Sequence, residues 1–187
     1  MNVGFGLYGS LLLLAALLGG AVWVFARVRA DYRRLGRLSP PIAVLQTGYF
    51  CAYALSAYAF LDSRWSHVTT DRVVLFLAVI CMAIGFLVVL FSMPFLGRRS
   101  FGMEVGTLRT SGLYRFSRNP QLVGFLVFVV GYALLWPSWT GAAWAALWVP
   151  IARLMVRNEE EHLEQVFGEA YREYCRRTPR WVGLRRA

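Results

Sequence analysis

No lysine occurs in the 187 residues: all 20 basic residues are arginine, set against 10 acidic ones, for a formal charge of +10. Histidine is limited to two residues and cysteine to three. Cys51, Cys81 and Cys175 show neither a C-x-x-C pair nor the Cys/His spacing of a metal site, so neither a disulfide framework nor a zinc module is expected. The first two lie inside apolar runs and read as small buried hydrophobes. The string "GFGLYG", residues 4–9, has the G-x-G-x-x-G spacing but follows no strand pattern, so no dinucleotide-binding strand–turn–helix unit is expected. The positive charge comes without an RNA-binding motif or an aromatic–basic platform, so no nucleic-acid partner is expected. The first apolar run lacks the basic leader and small-residue cleavage site of a secretory signal.

What is present is hydrocarbon. Hydrophobic residues make up 58% of the chain, above the ~45–50% usual in soluble domains. They fall in blocks of about the length needed to cross a bilayer, roughly 20 residues. Five blocks can be drawn: Leu7 to Ala26, Pro41 to Leu61, Val73 to Met93, Gln121 to Trp136, and Ser138 to Val156. The last two are separated by the turn "WPSW", in which Ser138 can cap the incoming helix. The expected fold is an all-α integral membrane protein with about five transmembrane helices, a C-terminal helical hairpin and a cytosolic amphipathic helix.

The charges between blocks alternate. Arg27, Arg29, Arg33, Arg34 and Arg37 face one acid, Asp31, after the first block. The next connection carries Arg64 and Arg72 against Asp62 and Asp71 and is neutral. Residues 94–120 hold Arg98, Arg99, Arg109, Arg115 and Arg118 against Glu104. The WPSW turn has no charge, and the C-terminal tail is basic again. Rich, poor, rich, poor, rich follows the positive-inside rule and predicts an outside N-terminus and a cytoplasmic C-terminus. Two regions are drawn: residues 1–93 as three N-terminal spans, and residues 94–187 as the region that carries chemistry, where a cytosolic loop and the tail flank the hairpin.

Read as a helix continuing the fifth block, residues 152–174 place Ala152, Met155, Val156, Leu163, Val166, Phe167, Ala170, Tyr171 and Tyr174 on one stripe. At position 159 the stripe carries Glu159 instead of an apolar residue, and Glu160 flanks it. Glu161 and Glu164 point away and read as solvated, with His162 on the polar side. An inward carboxylate is costly unless paired. Two readings are compatible: a salt bridge to an arginine of the 94–120 loop, or a contact to the hydroxyls or ammonium of a polar ligand. Pro150, inside the fifth block, frees a carbonyl and predicts a bend.

In "YRFSRNPQLVG", residues 114–124, Pro120 suits the first turn of a helix and Asn119 its N-cap. Free N–H groups, Arg118 nearby and the small Gly124 suit a carboxylate or phosphate; a membrane-edge anchor is the plainer alternative.

Together, "TSGLYRFSRNPQLVG", a hydrophobic hairpin and "RNEEEHLEQVFGEAYREYCRRTPRW" resemble the isoprenylcysteine carboxyl methyltransferase and phospholipid methyltransferase group. Its first motif is present as Arg118, Asn119, Pro120 and Gly124, with Leu122 where the family has tyrosine. Its second is complete as Glu159, Glu160, Leu163, Phe167, Gly168 and Tyr171. The resemblance covers about residues 94–187. It implies a helical membrane methyltransferase that uses S-adenosylmethionine, needs no metal, and acts on a lipophilic or lipid-modified acceptor. It further implies a cofactor site made of Tyr114, Arg118, Asn119, Pro120, Leu122, Gly124, Glu159, Glu160 and Tyr171. Asn119 and the helix start at Pro120 would take the cofactor's carboxylate, Glu159 and Glu160 its amino group or ribose hydroxyls. Tyr114, Tyr171 and Trp181 would wall the adenine. Arg157 and Glu160 are the catalytic candidates. His67 falls in an outside loop, so no positioned histidine base is expected, which leans toward O- or S-methylation. A phospholipid N-methyltransferase, a thiol S-methyltransferase, a sterol-reductase-like protein and a non-catalytic membrane protein stay open.

Overall fold

The computed structural model describes residues 7–60, 68–92 and 107–183. These are helical, with no strand among the described residues. Five long helices, α1 (Leu7–Leu35), α2 (Pro40–Phe60), α3 (Arg72–Ser92), α4 (Pro120–Leu135) and α5 (Trp139–Phe167), are followed by a short α6 (Glu169–Arg177); a 3-10 turn, Gly112–Arg115, precedes α4. Two of them, α1 and α3, are long and apolar enough to cross a membrane, and α4 is apolar but shorter. Arg64, Ser66, His67, Arg98, Arg99 and Glu104 lie outside the described residues.

The helix ends follow local chemistry. α1 stops at Gly36, whose positive φ of 63° lets its N–H reach back to the Tyr32 carbonyl at 3.1 Å. The Asp31 carboxylate then accepts from both the backbone N–H (2.9 Å) and the hydroxyl (2.5 Å) of Ser39, which fixes the turn into α2. Asp71 caps α3 by accepting from the N–H groups of Val73 (2.8 Å) and Val74 (3.1 Å). Ser138 caps α5 as its sequence predicts, accepting from Gly141 N–H at 3.0 Å. α5 runs unbroken through Pro150 to Phe167. The amphipathic helix drawn through Tyr174 is in fact two: Gly168, at φ 50°, ends α5 and starts α6.

α3 and α4 pack backbone to backbone. A Cβ on Gly85 would stand 2.5 Å from the Gly124 carbonyl oxygen, and one on Gly131 would stand 2.7 Å from that of Ala78. Ala78, Gly85 and Ser92 are the buried residues of α3, seven apart, so one small-residue seam meets α4. The rest of α3 is covered with exposed apolar side chains such as Phe76, Phe86 and Phe91, a surface suited to lipid. This seam joins residues on both sides of position 93, the boundary drawn between the two regions.

The core lies among α1, α2, α4 and α5. Tyr53, fully buried, stacks on Trp144 at 4.9 Å and donates its hydroxyl to the Trp144 carbonyl at 3.0 Å. Trp148 packs on Phe125 at 4.3 Å and donates its indole N–H to the Leu122 carbonyl at 3.3 Å. At the far end of α5 the buried Asn158 donates its amide to the Phe25 carbonyl of α1 at 2.6 Å. These bonds fix the rotation of α5, and with it the direction taken by Glu159.

Candidate active site

Where α5 passes the first helix and the 3-10 turn, four consecutive polar residues, Glu159 to His162, meet different surroundings. Glu160 is engaged: Arg118 reaches it at 3.0 Å and Arg180 at 2.6 Å. Glu161 is at the surface, as its sequence position suggests, but it is not unpaired. It holds Arg29 at 2.7 Å and Arg33 at 2.6 Å, both on α1. His162 is not on a polar face but stacked flat on Tyr32, ring centroids 4.1 Å apart. The loop-arginine pairing that sequence offered to Glu159 belongs to Glu160 instead, because the guanidinium of Arg118 approaches α5 from the side on which Glu160 projects.

Glu159 is the residue left over. Part of the side chain reaches the surface, but its Oε2 is buried and has no hydrogen-bond partner among the described residues. Burial, with the charge of Glu160 added, pushes its carboxyl up to about 7. The charge of Glu159 is felt by Tyr114 and by Tyr32. Both phenols are raised, Tyr114 to about 12, chiefly by burial and secondly by Glu159. Glu159 therefore lies close to Tyr32 of α1 and Tyr114 of the 3-10 turn. Two further buried nitrogens lack partners among the described residues, His162 Nδ1 and Arg118 Nε. Burial lowers the imidazole's proton affinity. A buried carboxylate oxygen without a partner among the described residues suits a ligand that brings a cationic donor.

The approach to α4 is built as a strap. The Arg118 N–H donates to the Pro179 carbonyl (3.0 Å), and the Gly183 N–H to the Phe116 carbonyl (3.1 Å). Asn119 occupies the N-cap position, but its side chain makes no capping bond. The amide, buried, donates instead to the Arg180 carbonyl at 3.0 Å. Arg118 also donates to the Cys175 sulfur at 2.6 Å. Tyr174 donates its hydroxyl to the Tyr114 carbonyl at 2.8 Å. The tail from Cys175 to Gly183 thus clasps residues 114–119.

The remaining sequence-predicted residues divide. Tyr171 is buried, its ring 6.2 Å from that of Tyr174, and Trp181 is exposed. Pro120 and Leu122 are buried at the base of α4, Leu122 supplying the carbonyl that Trp148 uses. Gly124 faces α3 rather than Glu159, since a Cβ there would meet Val88 Cγ1 at 2.8 Å. Arg157 is exposed and has no acidic partner among the described residues. Sequence reasoning missed Tyr32 and His162. His162 is three residues after Glu159 and so shares its side of the helix, a signal that was available; Tyr32 carried none.

The model of a family described as phospholipid methyltransferase matches residues 73–170, just over half of the chain. The match takes in α3 as well as the hairpin, consistent with the seam between α3 and α4. A protein-S-isoprenylcysteine O-methyltransferase B from Arabidopsis thaliana is 34% identical over 76 residues, 40% of this chain and 39% of the relative. The match thus spans well under half the length of that relative. No solved structure matches.

Proposed function

The chain belongs to the phospholipid methyltransferase family, and from that premise we propose that it is an S-adenosylmethionine-dependent membrane methyltransferase with a lipophilic acceptor. The single observation that carries this is Glu159, whose Oε2 is buried without a partner among the described residues, close to Tyr32 of α1 and Tyr114 of the 3-10 turn. Such a group is costly in an empty site and is offset by a ligand ammonium. When bound, the cofactor supplies an electrophilic methyl group on a sulfonium.

The chain's own residues bind and shield. Glu159 takes the amino group, while Glu160, spent on Arg118 and Arg180, positions the strap and not the ligand. Arg118, with its Nε free of partners among the described residues, and the start of α4 at Pro120 face the carboxylate. Tyr114 and Tyr171 provide apolar walls near the strap. Excluding water from the transfer is the work of the clasp between residues 114–119 and 175–183.

The membrane arrangement we infer has five spans, the N-terminus outside and Glu159 with the strap at the cytoplasmic surface. It is supported by the alternation of arginine-rich and arginine-poor connections and by five helices of 29, 21, 21, 16 and 29 residues. Isoprenylcysteine carboxyl methylation is the first acceptor reading, through the 34% identical relative; phospholipid amine methylation is the second, through the family's own description.

The test is equilibrium binding of S-adenosylmethionine to the purified protein, followed by transfer of labelled methyl to prenylcysteine analogues and to membrane lipid extracts. Saturable binding with transfer to one acceptor class is expected. Absence of cofactor binding in folded protein would sink the proposal.

A further inference from the structure

A second feature lies roughly a quarter-turn around α5 from the direction of Glu159. An open groove of about 670 Å³ runs between α4 and α5. Its walls are apolar, with Leu126 and Val130 from α4 and Ala142, Ala146 and Val149 from α5. Helical spacing carries the same stripe of α5 onward from Val149 to Arg153, four residues later, then to Arg157. Both arginines are exposed. The other arginines of α5 and α6, Arg172, Arg176 and Arg177, all hold glutamates. Arg153 and Arg157 have no acidic partner among the described residues.

Depth makes this pairing informative. With α5 entering the bilayer at Trp139, Arg153 lies about 21 Å along the helix at 1.5 Å per residue, short of the ~30 Å of a hydrocarbon core. An arginine at that depth needs an anion or must snorkel to the interface. The helical geometry tilts its Cβ back toward Val149, that is, toward the groove.

We infer that the α4–α5 groove is a binding site for an anionic phospholipid, with one acyl chain along Leu126, Val130, Ala142 and Ala146 and the phosphate on Arg153 and Arg157. Charge complementarity selects this occupant over an apolar partner: a chain-shaped apolar trough ends at two cations that the protein leaves unmatched among its described residues. The inference rests on the membrane placement proposed above and not on methyl transfer.

The test uses the full-length protein in a neutral detergent, titrated with phosphatidylglycerol and with phosphatidylcholine of identical chains, and read by native mass spectrometry. Phosphatidylglycerol is expected to bind about tenfold or more tightly than phosphatidylcholine, the scale of a charge-assisted contact. Arg153→Gln should erase that preference and Arg153→Lys should keep most of it. Ala146→Trp should weaken both lipids, and glycerol phosphate without chains should not compete. Equal affinity for both lipids, or a preference that survives Arg153→Gln, overturns the site. Competition by glycerol phosphate overturns the role of the groove. A dimer that Ala146→Trp dissociates would assign the groove to a second copy and overturn it as well. Cofactor binding measured on the same samples separates this outcome from failure of the methyltransferase reading.

Discussion

Glu159 and Glu160 are neighbours in sequence with opposite surroundings: Glu160 holds Arg118 at 3.0 Å, while Glu159 Oε2 is buried without a partner among the described residues. One step around a helix separates a residue that builds the site from one that is left to bind. Replacing Glu159 by Gln should therefore weaken S-adenosylmethionine binding roughly 10- to 150-fold, the ~1.5–3 kcal/mol of a hydrogen bond to a charged group, with the fold kept. Glu164→Gln, which loses only an exposed bridge to Arg172, should change affinity less than about twofold, since such bridges contribute ~0–1 kcal/mol. Calorimetry on both variants checks this, and equal losses would remove Glu159 from the site.

The carboxyl of Glu159, raised to about 7 by burial and then by Glu160, gives a pH prediction with a fixed sign. The ligand ammonium needs the carboxylate, so binding expels the carboxyl proton. Affinity should rise by about tenfold per unit from pH 5 toward pH 7, below the ~7.7–8 at which an α-amino group itself titrates. For the empty protein the sign is reversed. The folded-state value lies above the unfolded one, so the protonated form contributes stability that is complete below about 4.5 and lost as pH rises through 7. Glu159→Gln should flatten both profiles and raise the melting temperature of the empty protein at pH 8. Tyr32 and Tyr114 feel the same carboxyl, and burial keeps both phenols protonated across this range; burial also lowers the proton affinity of His162, one turn along α5.

Much of the helical layout is legible in the sequence. Blocks drawn at 41–61, 73–93 and 121–136 became helices at Pro40–Phe60, Arg72–Ser92 and Pro120–Leu135, because apolar runs end at residues, Pro40, Asp71, Pro120 and Ser138, whose local chemistry starts a helix. The inward turn of Glu159 was legible for the same reason, as an interruption of a periodic stripe. What was not legible depends on partners far away in the chain. Glu161 reads as an unpaired surface acid until Arg29 and Arg33, more than 120 residues earlier, are placed beside it. Gly124 reads as room for a ligand until α3 supplies Val88 and Gly85. Asn119 reads as a cap until the tail presents the Arg180 carbonyl.

The seam between α3 and α4 predicts a sharp contrast between glycines. A methyl at Gly85 would meet backbone, the Gly124 carbonyl oxygen at 2.5 Å, which cannot rotate aside. Gly85→Ala should cost about 1–3 kcal/mol, the range for overpacking, seen as a lower melting temperature in detergent. A methyl at Gly19, within α1, has no atom inside 4 Å. Gly19→Ala should be neutral or stabilising by up to about 1 kcal/mol, since glycine is the poorer helix former. Equal behaviour of the two would mean that the helices do not approach this closely.

The proposed topology can be read by reporter fusions. Fusions after Ser66 and within the WPSW turn should report outside, and fusions after Leu35, Arg99 and Ala187 should report inside. The arginine-rich connections are what hold this orientation. An inside signal at Ser66 would break the alternation and reduce the number of spans.

Asn119 separates two ways in which the polar knot could serve the cofactor. Its amide is committed to the Arg180 carbonyl at 3.0 Å, and its own N–H is held by the Ser117 hydroxyl at 3.0 Å. It therefore acts by keeping the tail clasped over residues 114–119. Asn119→Ala would leave a carbonyl that is short of its donor, a loss of about 1–3 kcal/mol if the group stays buried. The tail should loosen, and protease cleavage near Pro179 should speed up before the rest of the chain is cut. Cofactor affinity should fall in proportion to that loosening, and excess cofactor should restore protection by favouring the clasped form. Asn119→Asp, nearly isosteric but without the N–H donor, should be at least as damaging, because a carboxylate would face a carbonyl oxygen. Direct contact between Asn119 and the cofactor predicts another pattern: weaker binding by Asn119→Ala with no change in cleavage of the tail. Limited proteolysis and calorimetry on the same three proteins decide between the clasp and the contact.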